Sequence, residues 1–253
     1  MFADTWYLFN KYVKITIRTP MWTLFTLVQP LIWLIIFGQL FKNMASLPGF
    51  PTDNYTDFFV PGVLIMTVLF GSSWSGVSLL REITAGTVDK MLVSPVSRTA
   101  IVLSRVMHSA VQVLLQSLIM LGVAWAMGAT LSANPFYIFL SLIVIFFLGV
   151  AFASISNGFA MLLQREEPLV IIGNMMTLPL MFFSTALVPA SFMPGWIKII
   201  SNLNPINYAV ESVRAVLVGP PQWGIYIKGF VVLAAFAGIT VYWAVNAFKQ
   251  LRD

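Results

Sequence analysis

Arg105, His108, Gln112 and Gln116 recur at i, i+3, i+7 and i+11 within an otherwise apolar stretch, so a cation, an imidazole and two amides share one face of a single helix. Such a face avoids lipid and looks into a helix bundle, a partner subunit or water. Two roles stay open for it: polar packing at an interface, or lining a passage. His108, the sole histidine, reads by itself as a hydrogen-bonded packing residue rather than a ligand. With 0 cysteines there is no thiolate chemistry and no thiolate metal site, and one imidazole cannot build a metal cluster. The motif G-x-x-x-x-G-K-[ST] is missing, as are H-E-x-x-H and G-x-S-x-G. Nucleotide hydrolysis, metalloproteolysis and esterase chemistry therefore lack their parts, and no catalytic residue or bound cofactor is expected in this chain.

Small and polar residues continue the theme in other apolar segments. Gly71, Ser72, Ser73, Ser75, Gly76 and Ser78 fall in one; Gly149, Ala153, Ser154, Asn157 and Gly158 fall in another. Small residues let membrane helices approach closely, and hydroxyls can also face a cargo path. Asn174 and Pro179 kink a third segment or open a polar site in it. No Asp or Glu lies within any of these segments, which argues against an ion-coupled transporter.

The elements that must position these residues follow from the charges. The chain has 253 residues, of which 59% are hydrophobic and 9% charged, and its mean hydropathy is +0.89. So few charges cannot cover a water-exposed surface, which excludes a soluble globular enzyme. Charge-free runs separate Arg18 from Lys42, Asp57 from Arg81, Glu167 from Lys198 and Lys228 from Lys249. A longer gap from Arg105 to Arg165 is broken by the turn residues of Gly128–Pro135. The expected fold is an all-α integral membrane protein, a single domain over 1–253, with six transmembrane helices near 21–41, 58–80, 100–127, 136–163, 168–188 and 226–248. The runs are continuously apolar rather than alternating, so barrel strands are excluded. The first run is too long for a cleaved signal and no small-residue cleavage site follows it. With the N-terminus in the cytoplasm, ten Lys and Arg lie inside and four outside, so both termini are placed inside. The net charge of +5 fits that bias and needs no nucleic-acid partner.

Three segments remain outside the spans. Residues 1–19 form an amphipathic interface helix, with Trp6, Phe9, Val13 and Ile17 on one arc and Lys11, Lys14 and Arg18 on another. Residues 81–98 form the main cytoplasmic loop. Thr87 can cap a short helix there, Asp89 suits its first turn and Ser94-Pro95 ends it. Val88, Met91 and Leu92 are apolar for a solvated loop: the helix either docks into another protein or folds back on the membrane surface. Residues 189–224 hold two short extracellular or re-entrant helices. Pro194 opens the first, Asn204-Pro205 opens the second, and Glu211 can pair with Arg214 at i, i+3.

These residues resemble the type-2 ABC exporter permease family, the membrane subunits of bacterial drug, lipid and polysaccharide exporters. Arg81-Glu82, Gly86-Thr87 and Met91-Leu92-Val93-Ser94-Pro95 resemble its cytoplasmic-loop signature; Phe192 to Trp196, then Asn204 to Tyr208 closing on Glu211 and Arg214, resemble its outer-loop signature; Phe59-Val60-Pro61-Gly62 resembles the start of its second span. The resemblance implies a pairing with a second permease subunit, identical or related, and two cytoplasmic ABC ATPase subunits that carry ATP and magnesium. Residues 87–93, with Gly86 before them, then map onto the coupling helix. Arg81 and Glu82 map near the inner gate. The location implied is a bacterial cell membrane. The rival readings are a polytopic scaffold without transport and a secondary transporter.

Overall fold

A computed structural model describes residues 2–93 and 96–249, and all the regular structure among them is helical. Helix α1 (Phe2–Arg18) leads into α2 (Pro20–Leu40), with a proline in the first turn of α2, where its missing N–H costs nothing. A 3-10 turn over Lys42–Ser46 precedes α3 (Tyr55–Thr84), whose N-cap Asn54 accepts from Thr56 N at 3.1 Å. Gly86, at φ +68°, turns the chain into the short α4 (Thr87–Val93). Then follow α5 (Arg98–Ala126), capped by Ser97, and α6 (Pro135–Leu163), capped by Asn134. Helix α7 (Glu166–Phe182) carries Glu166 and Glu167 at its N-terminus, where the helix dipole favours them. A 3-10 turn over Ala190–Phe192 leads to α8 (Gly195–Leu203), α9 (Pro205–Leu217) and α10 (Trp223–Lys249).

Among the described residues four helices are long and apolar enough to cross a membrane: Tyr55–Thr84, Thr99–Ala126, Pro135–Leu163 and Trp223–Phe248. Of the other two expected spans, α2 is 21 residues long and α7 is shorter. Among the described residues the apolar part of α2 covers Leu24–Leu40. Helix α7 stops at Phe182 after 17 residues, not at 188. At about 1.5 Å per residue it reaches roughly 26 Å, a few ångströms less than a hydrocarbon core of about 30 Å. Its end has a local cause. Pro179 lies inside the last turn, and the Asn204 amide donates to Leu180 O at 2.5 Å and Phe183 O at 2.8 Å, which satisfies carbonyls that a longer helix would have bonded itself.

The bundle is built around α3 and α6. Phe58, Phe59, Leu64, Ile65 and Leu69 of α3 are fully buried, and α6 packs against α3, α5 and α10. In α1, Leu8 and Tyr12 turn inward onto α5, whereas Trp6 and Ile17 of the expected apolar arc stay exposed. Helices α3 and α6 approach closely. The Gly76 N–H donates to Ser156 Oγ at 3.0 Å, and that hydroxyl donates to Ser73 O at 2.6 Å. A Cβ on Gly76 would lie 2.2 Å from Ser156 O, a backbone atom that cannot step aside. Gly76→Val is therefore expected to destabilise the folded protein by about 3 kcal/mol or more, as forced overpacking does. Gly122→Ala, inside α5 and with nothing within 4 Å of an added Cβ, should not lower the unfolding midpoint in detergent.

Candidate functional site

The polar face of α5 meets α1 and the end of α3 in one node. Arg105, 4% exposed, is ion-paired with Glu82 of α3, and the Tyr12 hydroxyl donates to the same carboxylate at 3.2 Å. The Arg105 guanidinium also lies over the Tyr12 ring, 4.8 Å from its centre. Burial pushes the Tyr12 phenol up to about 12, so it stays a protonated donor. One turn along, His108 Nε2 and Thr16 Oγ1 are 2.7 Å apart. Beside the node lies a cavity of about 180 Å³ between α1, α2, α3 and α5; Ser75, Arg105, His108 and Gln112 line it. Gln116 lies deeper, fully buried, and donates to Thr26 Oγ1 at 2.7 Å. The sequence supplied the α5 face but not its partners: Tyr12 and Thr16 lie 70 residues from Glu82 and 92 from His108, respectively.

The remaining candidates on the spans divide in two. Ser72 and Asn157 are buried; the Asn157 amide donates across the α3–α6 contact to Ser75 Oγ at 2.9 Å and within α6 to Ala153 O at 2.8 Å. Ser73 and Asn174 instead line an open groove of about 410 Å³ between α2, α3 and α7, together with Gln29, Trp74 and Thr177.

At the α4 end, Arg81 does not join Glu82. It reaches Glu166 of α7 at 3.2 Å in an exposed pair that contributes little to stability. Gly86 and Thr87 are half-buried. Val88 is 5% exposed and packs in the apolar cluster with Leu8, Leu79 and Ile101, and Met91 leans on the same cluster. Val93 is 88% exposed. A groove of about 610 Å³ runs between α1 and α4, lined by Asp4, Tyr7, Lys11, Thr87 and Met91. The side chains of Asp89 and Leu92, and all of Ser94 and Pro95, lie outside the described residues.

At the opposite end, Arg214 of α9 ties three elements together. Its Nη1 donates to Glu211 Oε1 at 2.7 Å; its Nη2 donates to Thr185 O at 2.9 Å and to Phe58 O at 3.1 Å. The guanidinium sits 4.1 Å from the Phe58 ring centre. Burial lowers the Arg214 pKa, and the Glu211 carboxylate opposes that shift. Thr185 donates from its N–H to Asn207 Oδ1 at 3.0 Å and from its hydroxyl to Glu211. Asn204 caps α9 by accepting from Ile206 N at 3.0 Å, with Pro205 in the first turn. The Glu211–Arg214 pair was legible as an i, i+3 spacing; Thr185, Asn207 and Phe58 were not. Asp57, which accepts from the Thr130 N–H at 2.7 Å and from its hydroxyl, was also missed.

Known proteins share this arrangement of sequence. The family model described as ABC-2 type transporter matches residues 3–218. A protein described as a transport permease, ycf38 of Cyanophora paradoxa, is 34% identical over 199 residues, covering 78% of this chain and 68% of its own. A doxorubicin resistance ABC transporter permease protein, DrrC of Mycobacterium tuberculosis, is 28% identical over 77% of this chain and 70% of its own. A daunorubicin resistance ABC transporter permease protein, DrrB1 of Streptomyces coeruleorubidus, is 27% identical over 89% and 78%. Permeases of this kind are membrane subunits that work with separate ATP-binding subunits and do not themselves catalyse hydrolysis. With its long apolar helices and a family match spanning most of its length, the chain belongs to the ABC-2 type transporter membrane family, as a multi-pass permease subunit.

Proposed function

We propose that this chain is the membrane subunit of an ATP-driven exporter in a bacterial cell membrane, working beside a second permease subunit and two cytoplasmic ATPase subunits that hold ATP and magnesium. One observation carries the coupling part. Helix α4 is anchored inward by Val88 and presents Val93 outward at the junction of α3 and α5, in a chain without a phosphate-binding loop. ATP-driven approach of the ATPases would press on α4 and α1 and shift the permease pair between two states. Helices α2 and α7 complete six crossings: hydrophobic mismatch at α7 is met by local thinning or by the pairing subunit. The cargo is an amphipathic small molecule, a lipid or a glycan. The α2–α3–α7 groove, with Ser73 and Asn174, lines its path once the second subunit closes the open side. The names of the drug-resistance permeases among the relatives support a modest amphipathic cargo.

Orientation is tested with single cysteines in the native zero-cysteine background. Thr52→Cys is expected to react with an impermeant thiol reagent from outside intact cells, and Gln164→Cys only after the membrane is opened. The reverse pattern overturns the orientation.

A further inference from the structure

Helix α1 has two sides with different surroundings. Leu8 and Tyr12 are buried against the bundle, and Tyr12 meets the Glu82–Arg105 pair where α3 ends. The other side is bare. Trp6 is 59% and Ile17 71% exposed, and Lys14 and Arg18 are exposed beside them. Lys11, Lys14 and Arg18, at i, i+3 and i+7, form a basic row along α1. The one acid of the helix, Asp4, stands at the groove shared with α4 instead. The depth of this side is fixed at two points. Tyr12 lies level with an ion pair, whose charges belong near water rather than in hydrocarbon. Only Thr19 separates Arg18 from α2, where Met21 and Phe25 are 78% and 70% exposed. The bare side of α1 therefore lies between a charged layer and an apolar wall, at the depth of lipid headgroups.

We propose that this side of α1 is a surface for anionic lipid, with Lys14 and Arg18 on the headgroup phosphates and Trp6 and Ile17 in the acyl boundary. Charge complementarity selects the occupant. A basic row whose helix turns its one acid elsewhere attracts an anionic leaflet, by about fivefold in affinity for each Lys or Arg near the surface. A zwitterionic leaflet would take Trp6 and Ile17 equally well but offer the cations no net attraction. The Arg18 guanidinium presents paired N–H groups to one phosphate. Lys14 reaches headgroup level on a long apolar stem, and an indole such as Trp6 suits the same boundary. The surface continues into the exposed apolar residues of α2, and that continuity favours a bilayer over a soluble partner. Lipid held here braces α1 from outside while Tyr12 ties it to Glu82 from within. The proposal uses neither the cargo groove nor the outer face of α4, so its test is separate from theirs.

The test uses the full chain in phosphatidylcholine vesicles that contain a small fraction of photoreactive phosphatidylglycerol or, in parallel, of photoreactive phosphatidylcholine. Crosslinks to residues 6–18 are expected in excess with phosphatidylglycerol, and added salt should shrink the excess, because exposed charges are screened. Lys14→Gln and Arg18→Gln should each lower the excess about fivefold. Both side chains are exposed, so the variants keep the unfolding midpoint of the parent. Lys198→Gln on α8 removes the same net charge and should leave the labelling of residues 6–18 unchanged. Equal labelling by the two lipids, or an excess that survives in the folded Lys14→Gln/Arg18→Gln double variant, overturns the proposal. Loss of the excess when an ATPase subunit binds gives this side of α1 to that partner and overturns it as well.

Discussion

Arg214→Met is expected to cost the folded protein about 2–3 kcal/mol, the order of losing charge-assisted hydrogen bonds at a largely buried guanidinium whose Glu211 partner is partly exposed. The reason lies in what is left behind. Phe58 O and Thr185 O each lose their guanidinium donor, and the Glu211 carboxylate keeps only the Thr185 hydroxyl among its described partners. These groups sit where α3 begins, where α7 has ended and where α9 runs, so one substitution loosens three elements. Methionine fills similar volume, so the loss reports polar satisfaction rather than a cavity. Arg214→Lys keeps the charge but not the planar fork that reaches Phe58 O, Thr185 O and Glu211 together, and it should recover only part of the stability. Unfolding followed in detergent checks both. An Arg214→Met protein as stable as the parent would mean that this cluster braces nothing.

The second large effect separates the two faces of α4. Val93→Asp should leave the unfolding midpoint unchanged, because Val93 is 88% exposed. It should weaken ATPase binding roughly 10–100-fold, since burying a valine side chain contributes about 1.5–3 kcal/mol and a carboxylate reverses that gain. Val88→Asp should do the opposite. It places a carboxylate in the apolar cluster with Leu8, Leu79 and Ile101, costs several kcal/mol of stability, and lowers ATPase binding only as the fold is lost. Affinity capture of the ATPase, alongside thermal unfolding of each variant, distinguishes them. Undiminished capture by Val93→Asp would remove α4 from the docking surface.

The sequence was informative where local pattern decides structure. The charge gap from Asp57 to Arg81 located α3, and Asn204-Pro205 marked where α9 begins. On α5 the residues at i, i+3 and i+7, Arg105, His108 and Gln112, line one cavity, and Gln116 at i+11 is buried beyond them. Long-range choices were out of reach. Nothing near Glu82 in the chain names Tyr12 and Arg105 as its partners, because such pairs are fixed only when α1, α3 and α5 pack. A seven-residue helix offers too few turns for periodicity to say which side is covered, so Val88 and Val93 read alike until the tertiary contacts are known. The early end of α7 had a visible cause in Pro179. Its extent was still read too long, because the Asn204 amide that takes up its last carbonyls comes from 21 and 24 residues further on.

A permease without a phosphate-binding loop has no engine of its own. The proposed dependence on an ATPase is tested most directly by a sealed-vesicle assay with the purified chain, alone and with an ATPase subunit that co-purifies with it, using a fluorescent amphipathic compound as the reporter of movement. ATP-dependent accumulation that requires both proteins and disappears with Val93→Asp is the predicted result. Uphill accumulation by the chain alone, driven by a proton or sodium gradient, would contradict it.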